Sequence, residues 1–145
     1  MAKIIIAEDD LMIADMTEQF LNERGYEVCG IAMTVKSAIE LVRLHEPDLL
    51  LLDLRLADGG LGTEVVAEVG MSDGVGILYA TGNMSQLALT SENGHGCISK
   101  PYRPNDLVRA LETVLDIAKT GDVPAVIPNG FHLLPSAGGG VGVAA

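Results

Sequence analysis

Three acidic residues end the first apolar run of the chain, where Glu8, Asp9 and Asp10 follow the sequence IIIA. Like charges at the end of a buried strand repel one another and lose hydration, so a counter-charge is needed to stabilise them. Carboxylate oxygens gathered at one place favour a hard cation such as Mg²⁺, which is often completed by phosphate oxygens. The pattern therefore predicts a magnesium site, which Mn²⁺ can also fill.

A further acid, a hydroxyl and an ammonium occupy similar positions later in the chain. Asp53 lies near the end of LLLLDL, Thr81 ends ILYAT, and Lys100 ends GCISK. A carboxylate beside Mg²⁺ can act as a nucleophile, and a hydroxyl and an ammonium can hold the transferred oxygens of a phosphoryl group. These residue types therefore suit the binding of a phosphoryl group, for which Asp53 could act as the nucleophile.

The elements that must position these residues are short apolar runs that alternate with amphipathic stretches. This alternation predicts an α/β fold, a doubly wound parallel sheet covered by helices on both faces. Ligands bind outside the carboxyl ends of the strands in such a sheet, so the residues above are expected to share one crevice. The predicted strands are KIIIA, EVCGIA, DLLLLDL, VGILYATG and GCISKP, and the predicted helices are 11–24, 35–45, 63–69 and 106–119, the last beginning near Pro104.

Charge and hydropathy restrict the classes of partner. The chain has 145 residues and a formal net charge of −11, which argues for one domain and against direct contact with nucleic acid or an anionic membrane. Neither a signal peptide nor an apolar run of about 20 residues is present in the sequence. Cys29 and Cys97 are interpreted as reduced thiols, so we expect a cytoplasmic protein whose partners are proteins or cations.

The chain changes character after Lys119. Residues 120–145 contain three of the six prolines and follow neither helical nor strand periodicity. We therefore interpret residues 1–119 as the folded domain and residues 120–145 as a Pro/Gly-rich C-terminal tail.

Together these motifs resemble the receiver domain of response regulators, the module that accepts a phosphoryl group from a histidine kinase on an aspartate. The resemblance extends from Lys3 to Lys119 and depends on EDD, the Asp of LLLLDLRL, the Thr-Gly of YATG, and SKP. YATGN also resembles a subgroup of single-domain receivers named for a Phe-Ala-Thr-Gly motif. The resemblance implies a flavodoxin-like sheet of five parallel strands in the order 2-1-3-4-5.

The resemblance assigns the acidic residues. Asp53 resembles the phosphoacceptor. Asp10, Asp53 and the backbone carbonyl of Arg55 resemble the Mg²⁺ ligands, with Asp9 acting through water and Glu8 as an accessory residue. Two alternatives remain, because Asp9 and Asp10 could instead stabilise the dipole of the first helix, and Glu8 could simply end the strand.

The resemblance also assigns the residues that would hold the phosphoryl group. Thr81 resembles the switch hydroxyl, Gly82 the residue that leaves room for the phosphoryl group, and Lys100 the cation that pairs with it. Pro101 is an accessory residue and a candidate for a cis peptide bond.

Two features depart from the family pattern. Cys97 stands three residues before Lys100, where many receivers carry a Tyr or Phe that reports phosphorylation. Tyr79 is predicted to share a strand face with Thr81, so it either takes over that role or is a core residue. The stretch 83–96 is short and contains two glycines, which predicts a short or irregular fourth helix.

The resemblance implies a phosphoprotein of a two-component system, a signalling switch that acts through protein contacts. Its partners would be a sensor histidine kinase or phosphotransfer protein and a downstream protein, with no turnover of an external substrate. One alternative is a pseudo-receiver scaffold that is not phosphorylated. A second is a magnesium-dependent phosphatase, which usually needs an acid near the nucleophile, whereas Arg55 lies two residues after Asp53.

Overall fold

The computed structural model describes residues 2–71, 74–82 and 88–136. Over these residues the chain forms six strands and four helices, with a short 3-10 helix at Ala57–Gly59. The elements are β1 (Lys3–Ala7), α1 (Leu11–Glu23), β2 (Glu27–Ala32), α2 (Val35–His45), β3 (Leu49–Asp53), α3 (Gly62–Val69), β4 (Gly76–Thr81), β5 (Gly96–Ser99), α4 (Pro104–Thr120) and β6 (Phe131–Leu133).

The six strands form one sheet in the order β2-β1-β3-β4-β5-β6. The first five strands are parallel, which confirms the predicted order 2-1-3-4-5 and the α/β class. The strands β1, β3 and β4 lie in the middle of the sheet and are apolar on both faces. Residues Leu49–Leu52 are almost fully buried because α1 and α4 cover one face while α2 and α3 cover the other.

The tail requires a correction. Residues 120–145 were predicted to lack regular structure, but Phe131–Leu133 forms β6 and pairs antiparallel with β5. The strand escapes a periodicity search because it has only three residues and only Phe131 among them is buried. The sheet therefore has a sixth strand that the sequence pattern does not predict.

The segment between β4 and β5 carries no helix over its described part. Residues 88–95 form a loop with a turn at residues 91–93, and the rest of the predicted fourth helix, residues 83–87, lies outside the described residues. Gly94 has a packing role, since a Cβ there would lie 2.7 Å from Ile77 Cγ2 and 2.9 Å from Tyr79 Cε2. Among the described residues, none of the helices has the length and apolar character needed to cross a membrane.

Candidate functional site

The candidate site residues lie at the carboxyl ends of the parallel strands. They follow four of these strands: Glu8 and Asp9 come directly after β1, Asp53 ends β3, Thr81 ends β4, and Lys100 follows β5. Because β1 and β4 both pair with β3, their carboxyl ends flank Asp53. The sheet itself therefore brings the acids, the hydroxyl and the ammonium together.

The Lys100 ammonium joins two of the carboxylates. Its Nζ atom donates to Glu8 Oε1 at 2.7 Å and to Asp53 Oδ2 at 3.0 Å. The side chains of Lys100, Glu8 and Asp53 are 19%, 6% and 13% exposed, so these ion pairs are largely shielded from water. Such pairs interact more strongly than surface pairs but also lose more hydration energy.

Burial changes the proton affinities of this group. It raises the pKa of Glu8 to about 7, and the neighbouring Asp53 adds to the rise while the Lys100 ammonium opposes it. Burial acts to lower the pKa of Lys100, but its bonds to the two carboxylates outweigh this and raise that pKa. The two carboxylates therefore favour the charged form of Lys100. Lys100 alone does not offset the effect of burial on the Glu8 carboxylate, and a bound cation would supply further positive charge.

Three carboxylates fit a divalent cation. One oxygen each from Glu8, Asp9 and Asp53 lies within 4.8 Å of the other two, with Asp9 on the solvent side and Glu8 buried. An all-oxygen donor set with one exposed member suits Mg²⁺, which binds few protein oxygens and keeps several waters. The chemistry of the donor set therefore fits the predicted metal, and Glu8, which was predicted to be an accessory residue, belongs to it.

Asp10 has a different position from the one predicted. Its Oδ1 atom accepts from the amides of Met12 at 3.0 Å and Ile13 at 3.3 Å, so its carboxylate caps the first turn of α1. Asp10 is not part of the carboxylate group, and the assignment of Asp10 as a direct ligand with Asp9 acting through water does not match this geometry. The physical reason is that the helix begins one residue after Asp10 and uses its side chain.

The backbone after β3 holds Asp53 in place. The Arg55 amide donates to Asp53 Oδ1 at 3.4 Å, and the Arg55 side chain is exposed. Gly62 starts α3 against this turn, because a Cβ at Gly62 would collide with the carbonyl oxygen of Asp53. Gly62, the last glycine of ADGGLG, thus allows close packing beside the phosphoacceptor candidate.

The predicted phosphoryl-holding residues lie beside Asp53. Thr81 is 5% exposed, and its carbonyl accepts from the Lys100 amide at 2.8 Å, which fixes the ends of β4 and β5 together. Among the residues that the structure describes, none apart from its chain neighbours lies within 4 Å of a Cβ added at Gly82. The Lys100–Pro101 peptide bond is cis, as predicted.

Tyr79 is a core residue. It is fully buried and pairs in register with Cys97, which is also buried, and its hydroxyl donates to the Asn93 carbonyl at 2.7 Å. Burial raises the pKa values of the Tyr79 hydroxyl and of the Cys97 thiol, the latter to about 11. In the described conformation the ring fills space beside Cys97.

One residue near the site was missed. Tyr102 follows Pro101, and its hydroxyl lies 3.1 Å from Thr17 Oγ1 on α1. This contact joins the Lys100 loop to the first helix. The position of Tyr102 two residues after Lys100 could have indicated that it lies near the site. Its contact with Thr17 becomes evident only from the fold.

Comparison with known proteins identifies the family. The response regulator receiver domain matches residues 4–112. The chain is 28% identical over 113 residues to the transcriptional regulatory protein PdtaR of Mycobacterium tuberculosis, covering 76% of this chain and 55% of PdtaR. It is 25% identical over 116 residues to the chemotaxis protein CheY of Thermotoga maritima, covering 77% of this chain and 96% of that protein.

Solved structures support the same placement. A CheY-like receiver domain protein from Methanospirillum hungatei has a TM-score of 0.71 and 28% identity, covering 84% of this chain and 99% of that one. The response regulator PhyR from Brucella abortus has a TM-score of 0.62 and 28% identity, covering 72% of this chain and 43% of that one. The chain spans about half the length of PdtaR, the curated relative named first above. By its sequence match and its fold, the chain belongs to the response regulator receiver domain family.

Proposed function

We propose that the protein is a phosphoacceptor switch of a two-component system that takes a phosphoryl group on Asp53 with Mg²⁺ bound beside it. The observation that carries the proposal is the Lys100 ammonium 3.0 Å from Asp53 Oδ2, within a group of carboxylates that fits a divalent cation. A nucleophilic carboxylate, hard oxygen ligands and a fixed ammonium are the parts that phosphoryl transfer requires.

The residues of the site would have different roles in this transfer. Glu8, Asp9 and Asp53 would hold the cation, which when bound lowers the repulsion between Asp53 and the incoming phosphoryl oxygens. An Asp53 oxygen would form the new bond to phosphorus while the bond from phosphorus to the donor breaks and the donor leaves. Lys100 would exchange its contact with Asp53 for one with a phosphoryl oxygen, and the Thr81 hydroxyl would hold another.

The proposed chemistry changes the protein itself and turns over no external substrate. We expect the donor to be a sensor histidine kinase or a phosphotransfer protein in the cytoplasm, and the output to be contact with another protein. The net charge of −11 supports protein partners over direct contact with nucleic acid or anionic lipid. PdtaR is described as a transcriptional regulatory protein, so a role in gene regulation through such a partner is compatible with this proposal.

The experiment is phosphorylation of the full chain by acetyl phosphate with Mg²⁺, followed by intact mass measurement. The expected result is the gain of one phosphoryl group on the native chain and none on Asp53→Asn. Asp58→Asn is the matched control, since Asp58 is exposed in the turn after β3 and should leave the gain unchanged. The absence of a gain on the native chain would favour a pseudo-receiver scaffold, and a gain on Asp53→Asn would move the phosphoacceptor elsewhere.

A further inference from the structure

The edge of the sheet beyond β5 is covered by residues 130–135 of the same chain, here called the strap. Its central residues, Phe131–Leu133, pair antiparallel with β5. This pairing satisfies backbone groups that an edge strand would otherwise present to solvent. Hydrogen bonds extend the contact at both ends: Ser99 N to Gly130 O at 3.2 Å, Leu134 N to His95 O at 3.2 Å and Ser91 N to Pro135 O at 2.8 Å.

The β5 edge is shaped for the side chain of Phe131. This residue is 4% exposed and packs in the core cluster that includes Ile98 and the buried face of α4. A Cβ at Gly96 would collide with the Phe131 ring, so the glycine makes the space that the ring occupies. Leu134 packs into the core on the opposite face of the sheet. The edge thus accepts an aromatic residue and, three positions later, an aliphatic one.

The strap is joined to α4 by an exposed connecting segment. Residues 121–127, which connect it to α4, are all exposed and form neither helix nor strand. The strap itself contributes only three strand residues, and among these His132 and Leu133 are exposed. Phe131 is the most buried side chain of the strap, and a competing strand that supplied the same contacts could take its place beside β5 while the parallel strands stay paired.

We propose that the β5 edge is a strand-acceptor site for an extended segment of a partner protein, which the strap occupies in competition with that partner. The segment would carry an aromatic residue followed three positions later by an aliphatic residue, the pattern that Phe131 and Leu134 supply here. Addition of a strand to a sheet edge is an established mode of peptide recognition, in which main-chain bonds give affinity and side-chain pockets give specificity. This proposal does not depend on phosphorylation of Asp53.

The test uses a fluorescent peptide of the strap itself, NGFHLLPS (residues 129–136), added to the full chain. In Phe131→Asp a charge replaces the buried ring, so the strap should leave and free the edge. The expected result is peptide binding by Phe131→Asp that is about tenfold or more tighter than binding by the native chain, whose strap competes at high effective concentration. A peptide with Ala in place of Phe131 should lose this binding.

Two further variants keep the test decisive. In the double variant Gly96→Val/Phe131→Asp, the valine side chain fills the space for the ring, so peptide binding should be abolished. The control Leu133→Ser changes an exposed side chain and should leave the native strap in place. Should Phe131→Asp fail to fold, Gly130→Val releases the strap differently, because Gly130 has a φ of 75° that a β-branched residue disfavours. Hydrogen exchange at Ser99 reports the release.

The outcomes are distinct. Strap release with peptide binding that requires both the Phe131 ring and Gly96 supports the acceptor site. Strap release without peptide binding overturns it, and so does equal binding by the native chain and the released variants.

Discussion

The hydroxyl of Tyr79 donates a hydrogen bond to the carbonyl oxygen of Asn93 at 2.7 Å. This bond joins β4, two residues before Thr81, to the turn that precedes β5. Since Thr81 and Lys100 follow these two strands, the buried tyrosine connects the packing of the core to both residues that are proposed to hold the phosphoryl group.

Tyr79→Phe should therefore loosen the turn at residues 91–93. The variant leaves the Asn93 carbonyl without this donor, and we expect the free energy of unfolding to fall by about 1 kcal/mol. Urea unfolding followed by circular dichroism measures the loss, and hydrogen exchange should rise in the turn. Tyr26→Phe is the control, since its hydroxyl bonds Glu112 at the exposed surface and should cost less. Equal losses in the two variants would contradict a special role for Tyr79.

Asp9 and Asp10 should separate metal binding from helix capping. Asp9→Asn should weaken Mg²⁺ binding by about tenfold or more, because one charged oxygen leaves the group. Asp10→Ala should keep Mg²⁺ affinity but lower the free energy of unfolding by about 1 kcal/mol, because the cap of α1 is lost. Titration calorimetry and urea unfolding measure the two effects.

Asp10→Ser is the matched control for this pair. Serine keeps a capping oxygen and removes the carboxylate, so both stability and Mg²⁺ affinity should stay close to the native values. Loss of Mg²⁺ binding in Asp10→Ser would mean that Asp10 is a ligand after all.

Lys100→Ala should keep metal binding but lose the response to phosphorylation. Removal of the ammonium leaves Glu8 and Asp53 without their cationic partner, so the metal-free protein should be less stable and Mg²⁺ binding at least as tight as in the native chain. Beryllofluoride with Mg²⁺ should then produce much smaller amide shifts around Thr81 than in the native protein. Lys119→Ala, in the last turn of α4, is the control. A native-size response in Lys100→Ala would remove Lys100 from the proposed mechanism.

The sheet was predictable because each central strand is an apolar run that ends on a polar residue. This pattern located β1, β3 and β4 and predicted that Asp53, Thr81 and Lys100 meet at one edge, and the fold brings them there. A strand that is buried on both faces must be apolar throughout, so its local sequence is enough to identify it.

Features that depend on contacts distant in sequence were not predictable in the same way. The sequence indicates that α1 begins at Leu11, but whether the Asp10 carboxylate turns to the helix amides or to the other acids depends on contacts in the folded chain, where Asp10 caps α1 and Glu8 lies in the carboxylate group. Gly96 was interpreted as weakening a helix, whereas its role is to admit Phe131, which lies 35 positions later. A three-residue strand such as β6 has too little periodicity to indicate its own partner.

His95 should make the stability of the native fold depend on pH. Its Nδ1 atom accepts from the Ile77 amide at 3.0 Å, a contact that requires the neutral imidazole, and burial lowers the pKa of this group. As the pH falls below the ordinary histidine pKa of 6.5, the unfolded chain takes up a proton that the folded state resists. The unfolded chain then binds more protons, so the free energy of unfolding falls with decreasing pH through this window.

His95→Asn tests this directly, because the asparagine Oδ1 atom can accept the same amide hydrogen bond but does not titrate. We expect urea unfolding at about pH 8 and about pH 5.5 to show a smaller loss of stability in His95→Asn than in the native protein. His132→Asn is the control for the substitution itself, since the His132 side chain is exposed on β6. If the native chain and His95→Asn lost the same stability between the two conditions, the acid sensitivity would have to come from other residues.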